Sequence, residues 1–295
     1  MDVEMKIQEP INKVTRKQKL KNYSKHPGSF LLALLTKLAI LLTVLALGFI
    51  LIYILVKGIP NLSTDLFALK YTTENVSMLP AIINTLIITL LSLCIAGPIG
   101  IFSAIYLVEY AKKGNKLVGV VRVTAETLTG IPSIVYGLFG MLFFVTTLKC
   151  GYSLLAGALT LSIMVLPVIM RTTEEALLAV PNSFREGSFG LGAGKLRTIF
   201  KIVLPSAVPG ILAGVILAIG RMVGETAALI YTAGTVAEIP SSIMSSGRTL
   251  AIHMYSLSKE GLYTNQAYAT AVVLLIVVVP INMLSNFVAK KFTKK

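Results

Sequence analysis

Long apolar runs recur along the chain and are separated by short polar segments. A helix needs about 20 apolar residues to cross roughly 30 Å of hydrocarbon. Six runs reach or approach this length: 38–56, 79–108, 128–148, 154–170, 206–231 and 267–288. The second run is too long for a straight crossing and holds Pro98 between Gly97 and Gly100, so we expect a kink or a tilt there. The pattern predicts an all-α membrane protein with six transmembrane helices.

The composition agrees with a bilayer environment. Hydrophobic residues make up 55% of the chain and charged residues 14%, whereas soluble domains carry roughly 25% charged residues. Disorder, a coiled coil and an ordinary soluble enzyme are therefore excluded. Cys94, Cys150, His26 and His253 are isolated along the sequence, so we expect neither a disulfide framework nor a metal site.

The basic residues predict the orientation in the membrane. The formal net charge is +14, and most Lys and Arg residues precede the first run or follow the second, fourth and sixth runs. Because cytoplasmic loops are enriched in Lys and Arg, both termini are predicted to be cytoplasmic. We expect a basic tail over 1–29 and a transmembrane domain over 30–295, with the first run retained as a helix, since it exceeds the length of a signal-peptide core. The charge is then a topology signal, and no nucleic-acid partner is expected.

The segment 171–205 is too long for a turn and too amphipathic for a simple linker. Pro181 interrupts a first helix, and Asn182 or Ser183 is predicted to cap the next one. Glu186 stands three residues after Ser183, the spacing of a capping box.

Glycines at alternate positions are predicted to end that helix: Gly190, Gly192 and Gly194. A third helix is predicted over 195–203, ending before Pro205, with Leu196, Ile199, Phe200 and Val203 on one face. An exposed apolar face needs a partner, which is either the inner ends of the membrane helices or another protein.

The run GLGAGK at 190–195 does not fit a nucleotide-binding loop. A P-loop needs a glycine five residues before the Gly-Lys pair and Ser or Thr after the Lys. Phe189 and Leu196 stand at these two positions, and no strand precedes them. The chain is therefore predicted to have no ATPase site of its own.

The spacing of Glu186-Gly187-Ser188, Gly192 and Ile202-Val203-Leu204-Pro205 resembles the EAA loop of ABC importer permeases. Gly187 and Ser188 replace the two alanines of that pattern. In this family the loop docks as a coupling helix into a groove on the ATP-hydrolysing subunit. The resemblance thus assigns ATPase coupling to a set of loop residues: Ser183, Glu186, Gly187, Ser188, Gly192, Ile202, Leu204 and Pro205. It places Arg171 and Glu174 at the cytoplasmic gate that leads into the loop.

Three stretches resemble phosphate permeases of this family more closely: GIPSIVYGLFG at 130–140, RTTEEAL at 171–177 and RMVGETA at 221–227. The resemblance runs from about residue 79 to the end of the chain. It implies a type I ABC importer permease (MetI-like) fold in a bacterial or archaeal plasma membrane, with a coupling helix between the fourth and fifth spans. It also implies partners: a second permease subunit, an ATPase homodimer that uses ATP and Mg, and an extracytoplasmic phosphate-binding protein. No bound cofactor and no covalent chemistry are expected in this chain.

Arg221 is predicted to lie inside the fifth span. A charge there costs at least ~2.5 kcal/mol, so it should have a partner, and Glu225 is four residues on. One interpretation is that this pair neutralises itself or pins two subunits together. The other is that Arg221 meets the anion along the translocation path, with Glu225 restraining it and Thr226 as a minor donor. Four glycines on this span predict close helix packing, against a second subunit or within the chain: Gly210, Gly214, Gly220 and Gly224.

Other functions remain open at this level. A self-sufficient secondary transporter tends to show inverted halves and charges in several spans, which we do not find. A membrane-bound enzyme lacks a catalytic cluster at a common depth. Among importers, permeases for molybdate, tungstate or sulfate share the loop pattern, and charge alone does not separate these oxyanions.

Overall fold

The computed structural model describes residues 27–112 and 114–293, with side chains up to Ser285 and at residues 287 and 288. The predicted tail over 1–29 lies almost wholly outside these residues. The chain divides into two units, Met1–Tyr53 and Ile54–Lys295. In the first unit, the hydroxyls of Thr36 and Thr43 donate to carbonyl oxygens four residues back, as hydroxyls in apolar helices commonly do.

The described residues form helices and the loops that connect them, with no strand, and the all-α fold class is confirmed. The helices are α1 (Pro27–Gly58), α2 (Leu79–Ile105), α3 (Lys116–Thr129), α4 (Ser133–Gly140), α5 (Leu154–Leu178), α6 (Asn182–Gly190), α7 (Lys195–Thr198), α8 (Leu204–Val223), α9 (Ala227–Ile230), α10 (Leu250–Glu260) and α11 (Thr264–Thr293). π-Helical turns extend α2 (Tyr106–Tyr110) and α4 (Met141–Thr147), and one joins α7 to α8 (Ile199–Val203). Two short 3-10 turns, Ile59–Asn61 and Thr64–Phe67, follow α1.

Five described helices are long and apolar enough to cross a membrane, and a sixth crossing exists if the bent pair of α3 and α4 counts as one span. The pair bends by 102° between Thr129 and Ser133. Pro132 explains the break, since it cannot donate a backbone hydrogen bond and it disfavours helix in the preceding residue. The Tyr136 hydroxyl donates to the Leu128 carbonyl (2.7 Å) across the bend. The predicted third span, 128–148, is therefore interrupted near its start.

Helix α5 is the centre of the larger unit. Its most apolar window is 67% buried, against 44% for α2 and 28% for the helix that contains α8. Ser92 of α2 donates to the Ala158 carbonyl (3.1 Å), and Ser162 donates back to the Ser92 carbonyl (3.2 Å). Such interhelical bonds between small residues bring backbones close where lipid supplies no hydrophobic drive.

The glycines of α8 pack inside the subunit. A Cβ at Gly210 would lie 2.7 Å from the Ala176 Cβ of α5, and one at Gly220 would lie 2.6 Å from Asn282 Oδ1 of α11. A Cβ at Gly214 would overlap Thr172 of α5. Gly224 has no such close neighbour. For three of the four glycines, packing within the chain is thus the interpretation that the structure supports.

The fifth span differs from its predicted bounds of 206–231 at both ends. One continuous helix runs from Lys195 to Val223. The prediction that the loop helix stops before Pro205 is wrong, because the π-helical turn over Ile199–Val203 joins it to α8, with the Leu204 amide donating to the Ile199 carbonyl. A π turn shifts the hydrogen-bond register, which helps a helix to continue past a proline.

Buried His253 of α10 makes the larger unit sensitive to acid. Burial, and next the charge of Arg248, lower the pKa of this imidazole from 6.5 to about 3, while the Val76 backbone partly opposes the shift. The folded state thus keeps His253 neutral where the unfolded state becomes protonated. The stability that this difference contributes is complete above pH 6.5 and is lost as the pH falls from 6.5 towards 3.

We predict that wild-type protein loses about 1.4 kcal/mol of stability per pH unit below 6.5 through this group. His253→Gln, which does not titrate, should show a flatter stability profile between pH 7 and pH 5. Thermal unfolding of both proteins at several pH values checks this prediction. The quantity compared is the slope of stability against pH. Parallel slopes for the two proteins would contradict the assignment.

Candidate functional site

Arg221 lies in the last turn of α8, and its side chain is exposed on the isolated subunit. Leu204 begins α8 seventeen residues earlier, which corresponds to about 26 Å of helix rise. Arg221 also lies close enough to Tyr136 of α4 to interact with it electrostatically. Gly137 of α4 touches the backbone of α9 at Ala228, so α4, α8 and α9 meet around this cation.

The predicted ion pair between Arg221 and Glu225 is wrong. Helix α8 ends at Val223, so Glu225 is not on the next turn of the same helix. Glu225 is buried, and its Oε1 instead accepts a hydrogen bond from the Ala228 amide of α9 (3.1 Å). Thr226 is half-buried, and its hydroxyl approaches the Gly224 carbonyl (3.5 Å). Among the described residues, no carboxylate lies within ion-pair distance of Arg221.

Residues 182–205 form what we call the glycine-turn element: α6, a turn, and the helix that continues into α8. The predicted side-chain cap of α6 is wrong. The N-cap is Pro181, and no side chain makes a cap hydrogen bond there. Ser183 is already inside the helix, so the capping box with Glu186 cannot form, and both side chains are exposed.

Gly192 closes the turn between the two helices of this element. Its φ of +80° is in the left-handed region, which glycine adopts without a steric cost. The two helices are joined by a hydrogen bond between the hydroxyls of Ser188 and Thr198 (2.8 Å), both buried. Ser188, which replaces an alanine of the loop pattern, thus stabilises the turn. Gly187 lies in open space.

A cleft lies between the glycine turn and the second helix of the element. Its lining includes Leu191, Gly192, Arg197, Lys201 and Ile202. Leu191 is 91% exposed. The predicted apolar face over 195–203 is split, since Ile199 and Val203 are buried while Leu196 and Phe200 are exposed. Leu204 is half-buried and Pro205 exposed.

Arg185 anchors the element to two membrane helices, and the sequence interpretation missed it. Its Nη2 lies 2.7 Å from Glu109 Oε1 at the end of α2, and its Nε donates to the same oxygen at 3.0 Å. The guanidinium also donates to the carbonyls of Leu177 (2.9 Å) and Val180 (2.8 Å) at the end of α5. Lys195 adds a cation–π contact to Tyr110, 4.8 Å from the ring centre.

Arg171 and Glu174, predicted in a loop, lie instead on the continuation of α5 to Leu178. Arg171 pairs with Glu126 of α3 (3.2 Å) and with Glu175 (3.2 Å). Glu174 pairs with Arg122 of α3 (2.5 Å). The pairs with Glu126 and Arg122 tie α3 to α5, whereas the pair between Arg171 and Glu175 lies within α5. A partly exposed pair of this kind contributes roughly 0–1 kcal/mol.

The predicted residues therefore form two separate regions, the glycine-turn element and the surroundings of Arg221. One helix joins them: it begins at Lys195, inside the element, and ends at Val223, two residues after Arg221. It is about 43 Å long for its 29 residues. Nothing in the described residues gathers three metal-ligating side chains.

The chain matches a family model described as "Binding-protein-dependent transport system inner membrane component" over residues 96–295. It is 32% identical over 261 residues to "Probable ABC transporter permease protein YqgI" of Bacillus subtilis strain 168, covering 82% of this chain and 88% of that protein. It is 35% identical over 269 residues to "Phosphate transport system permease protein PstA" of Pasteurella multocida strain Pm70, covering 87% and 92% respectively.

Solved structures show the same fold at lower identity. A bacterial alginate ABC transporter, in complex with a periplasmic protein that holds an alginate pentasaccharide, is 16% identical with a TM-score of 0.65. The match covers 92% of this chain and 98% of that one. The inward-facing MetNI methionine transporter is 20% identical with a TM-score of 0.54, covering 73% and 94%. The chain thus has the type I ABC importer permease (MetI-like) fold and belongs to the family of binding-protein-dependent transport system inner membrane components.

Proposed function

We propose that this chain is a PstA-type permease subunit of an ATP-driven importer of inorganic phosphate. The observation that carries the proposal is the single helix over Lys195–Val223, which links the glycine-turn element to Arg221. The similarity to the Pasteurella protein, a phosphate transport system permease protein by name, supports the choice of substrate. The chain supplies the substrate pathway and the element that transmits motion to it. ATP hydrolysis belongs to a separate subunit that uses Mg.

The glycine-turn element is proposed to face the cytoplasm, as are both termini. An ATPase homodimer would contact its exposed side chains, among them Phe184, Phe189 and Leu191. Because Arg185 bonds the element to the ends of α2 and α5, a push on the element moves these helices together. Such rigid-body motion suits a switch between inward-open and outward-open states.

Arg221 is proposed to meet the anion in a pore completed by a second permease subunit. Its guanidinium is exposed on the isolated subunit, where a phosphate can approach it. A planar fork of donors matches the geometry of phosphate oxygens. Glu225 accepts a hydrogen bond from the Ala228 amide in α9 and so is proposed to hold the backbone next to Arg221, a positioning role. An extracytoplasmic phosphate-binding protein would deliver the substrate.

Substrate competition tests the proposed specificity. Vesicles that contain the assembled importer and its binding protein should accumulate labelled phosphate with ATP, and excess unlabelled sulfate or molybdate should not compete. Strong competition by either oxyanion, with weak competition by phosphate, would reassign the substrate.

Gly192→Val should lower ATP-coupled uptake while membrane insertion stays intact. A β-branched residue at φ +80° is strained by about 1–2 kcal/mol, so the turn loses its shape. Gly187→Ala is the matched control, because the added Cβ meets open space and favours the helix. The ratio of phosphate imported to ATP hydrolysed measures the effect. Equal ratios for the two variants would show that the turn does not transmit force.

A further inference from the structure

Arg248 is a buried cation that has no counter-charge among the described residues. Its side chain belongs to a residue that is 5% exposed, and its Nε and Nη2 have no hydrogen-bond partner. Within the described part of the chain, no carboxylate lies within ion-pair distance of it. Its guanidinium lies over the face of Tyr71, 4.7 Å from the ring centre, and close enough to His253 to interact with it electrostatically. A buried, unpaired guanidinium is strongly unfavourable, so something outside the chain is expected to neutralise it.

The local backbone increases this positive potential. Arg248 stands directly before the N-cap of α10, an 11-residue helix with no acidic residue in its first turn. The N-terminus of a helix carries a partial positive charge. The Thr249 hydroxyl does not cap the helix and is itself without a partner. Each of these features disfavours a cation and favours an anion at the same place.

His253 lies one turn further along α10. It is fully buried, and although the Val76 backbone lies close to its ring, neither ring nitrogen has a partner at hydrogen-bond distance and angle. Its ring lies edge-on to Tyr71, with centroids 6.3 Å apart. A neutral imidazole can donate one hydrogen bond to an anion without adding a second buried charge.

A strained turn at Val76 packs against the cluster formed by Arg248, His253 and Tyr71. Val76 has a φ of +45° and is fully buried, a genuine outlier for a β-branched residue. Asn75 holds the turn by accepting hydrogen bonds from the amides of Thr72 (2.9 Å) and Ser77 (3.0 Å). Strain of this kind is retained where the surrounding structure fixes it, and it is frequent at ligand sites.

The cluster lies at the end of the subunit opposite the glycine-turn element. The Leu250 amide of α10 donates to Thr85 near the start of α2 (2.8 Å). Glu109, which anchors Arg185, is at the other end of α2, about 36 Å along the helix. In the proposed orientation the cluster is therefore on the extracytoplasmic side, where substrate arrives.

We propose that Arg248, His253 and the first turn of α10 form a binding site for a small inorganic oxyanion, which is phosphate if the proposed function holds. The site is separate from Arg221 and would receive the anion before it reaches the pore. The two guanidinium nitrogens without a partner, Nε and Nη2, provide a fork of donors that matches the oxygens of such an anion.

Equilibrium binding of labelled inorganic phosphate tests the site. The complex of both permease subunits and the ATPase is used without the binding protein, in phosphatidylcholine nanodiscs. All variants carry Arg221→Gln, so that the pore cation does not contribute. Arg248→Met should weaken binding by about tenfold or more, as loss of a charge-assisted pair does. Lys259→Gln removes an exposed cation from the same helix and should leave binding unchanged. Equal binding by these two variants would overturn the proposal.

Thermal unfolding separates a ligand site from a structural role. Without phosphate, Arg248→Met should be at least as stable as the parent, because a buried charge has been removed. Added phosphate should raise the Tm of the parent and not that of Arg248→Met. A variant that fails to assemble, equal protection of both proteins, or protection by phosphatidylglycerol in place of phosphate would each contradict the site.

These assays use neither ATP nor transport, so the two proposals fail separately. An importer that takes up phosphate with ATP, yet binds it independently of Arg248, would overturn only the site. A complex that binds phosphate through Arg248 but never imports it would overturn only the proposed function.

Discussion

Arg221→Gln is expected to abolish ATP-driven phosphate uptake while the amount of assembled complex stays at the wild-type level. Arg221 is exposed on the subunit and makes no ion pair with a described residue, so removal of its charge leaves no buried carboxylate unpaired. The anion in the pore loses its charge-assisted donors, and we expect uptake to fall by about two orders of magnitude or more. Initial uptake rates, normalised to the purified complex, check this.

Glu225→Gln is the matched control for this experiment. Glutamine keeps a carbonyl oxygen that can accept the hydrogen bond from the Ala228 amide, so this contact with α9 is retained. Uptake should fall much less than in Arg221→Gln. If Arg221→Gln causes the two permease subunits to separate, the cation pins subunits together, and its role as an anion donor is wrong.

Arg185→Gln is expected to uncouple ATP hydrolysis from uptake. The guanidinium bonds Glu109 and the carbonyls of Leu177 and Val180, and glutamine cannot span these three groups. The Glu109 side chain is 9% exposed, so loss of its partner leaves a buried charge at a cost of about 3–5 kcal/mol. The membrane helices keep their core, but the glycine-turn element no longer moves with α2 and α5. Phosphate imported per ATP hydrolysed should fall by about tenfold or more, since each 1.4 kcal/mol of lost coupling is a factor of ten.

A double-mutant cycle with Glu109→Gln provides the control. If the two side chains act as one unit, Arg185→Gln together with Glu109→Gln should be no worse than Arg185→Gln alone. Additive losses would mean that Arg185 acts mainly through the carbonyls of α5. A wild-type ratio of phosphate imported to ATP hydrolysed in Arg185→Gln would contradict the proposal that Arg185 transmits motion from the glycine-turn element.

The sequence predicts the membrane helices well because apolar runs of sufficient length have few alternatives. It predicts their ends poorly. The start at Lys195 depends on a π-helical turn before Pro205, which no periodicity reveals. The end at Val223 precedes Gly224, a residue that indicates close packing in the sequence and that also ends the helix in the structure. Only a helix that continued past Gly224 would place Arg221 and Glu225 on one face, so the predicted ion pair does not form.

The candidate site was predictable where short motifs carry it and not where distant segments meet. The resemblance at 186–205 located the glycine-turn element. The bond between Arg185 and Glu109 joins residues that are 76 positions apart, so the sequence showed only two ordinary charges. In the sequence Arg248 resembles an ordinary exposed loop cation, and only the structure shows that it is buried.

We propose that this chain provides the substrate pathway and transmits to it the motion of an ATPase made of other polypeptides. The most direct measurement is phosphate accumulation in vesicles that contain this chain alone, or this chain with a second permease subunit, the ATPase and the binding protein. We predict accumulation only in the complete assembly and only with hydrolysable ATP. Accumulation by this chain alone, without nucleotide, would contradict the account.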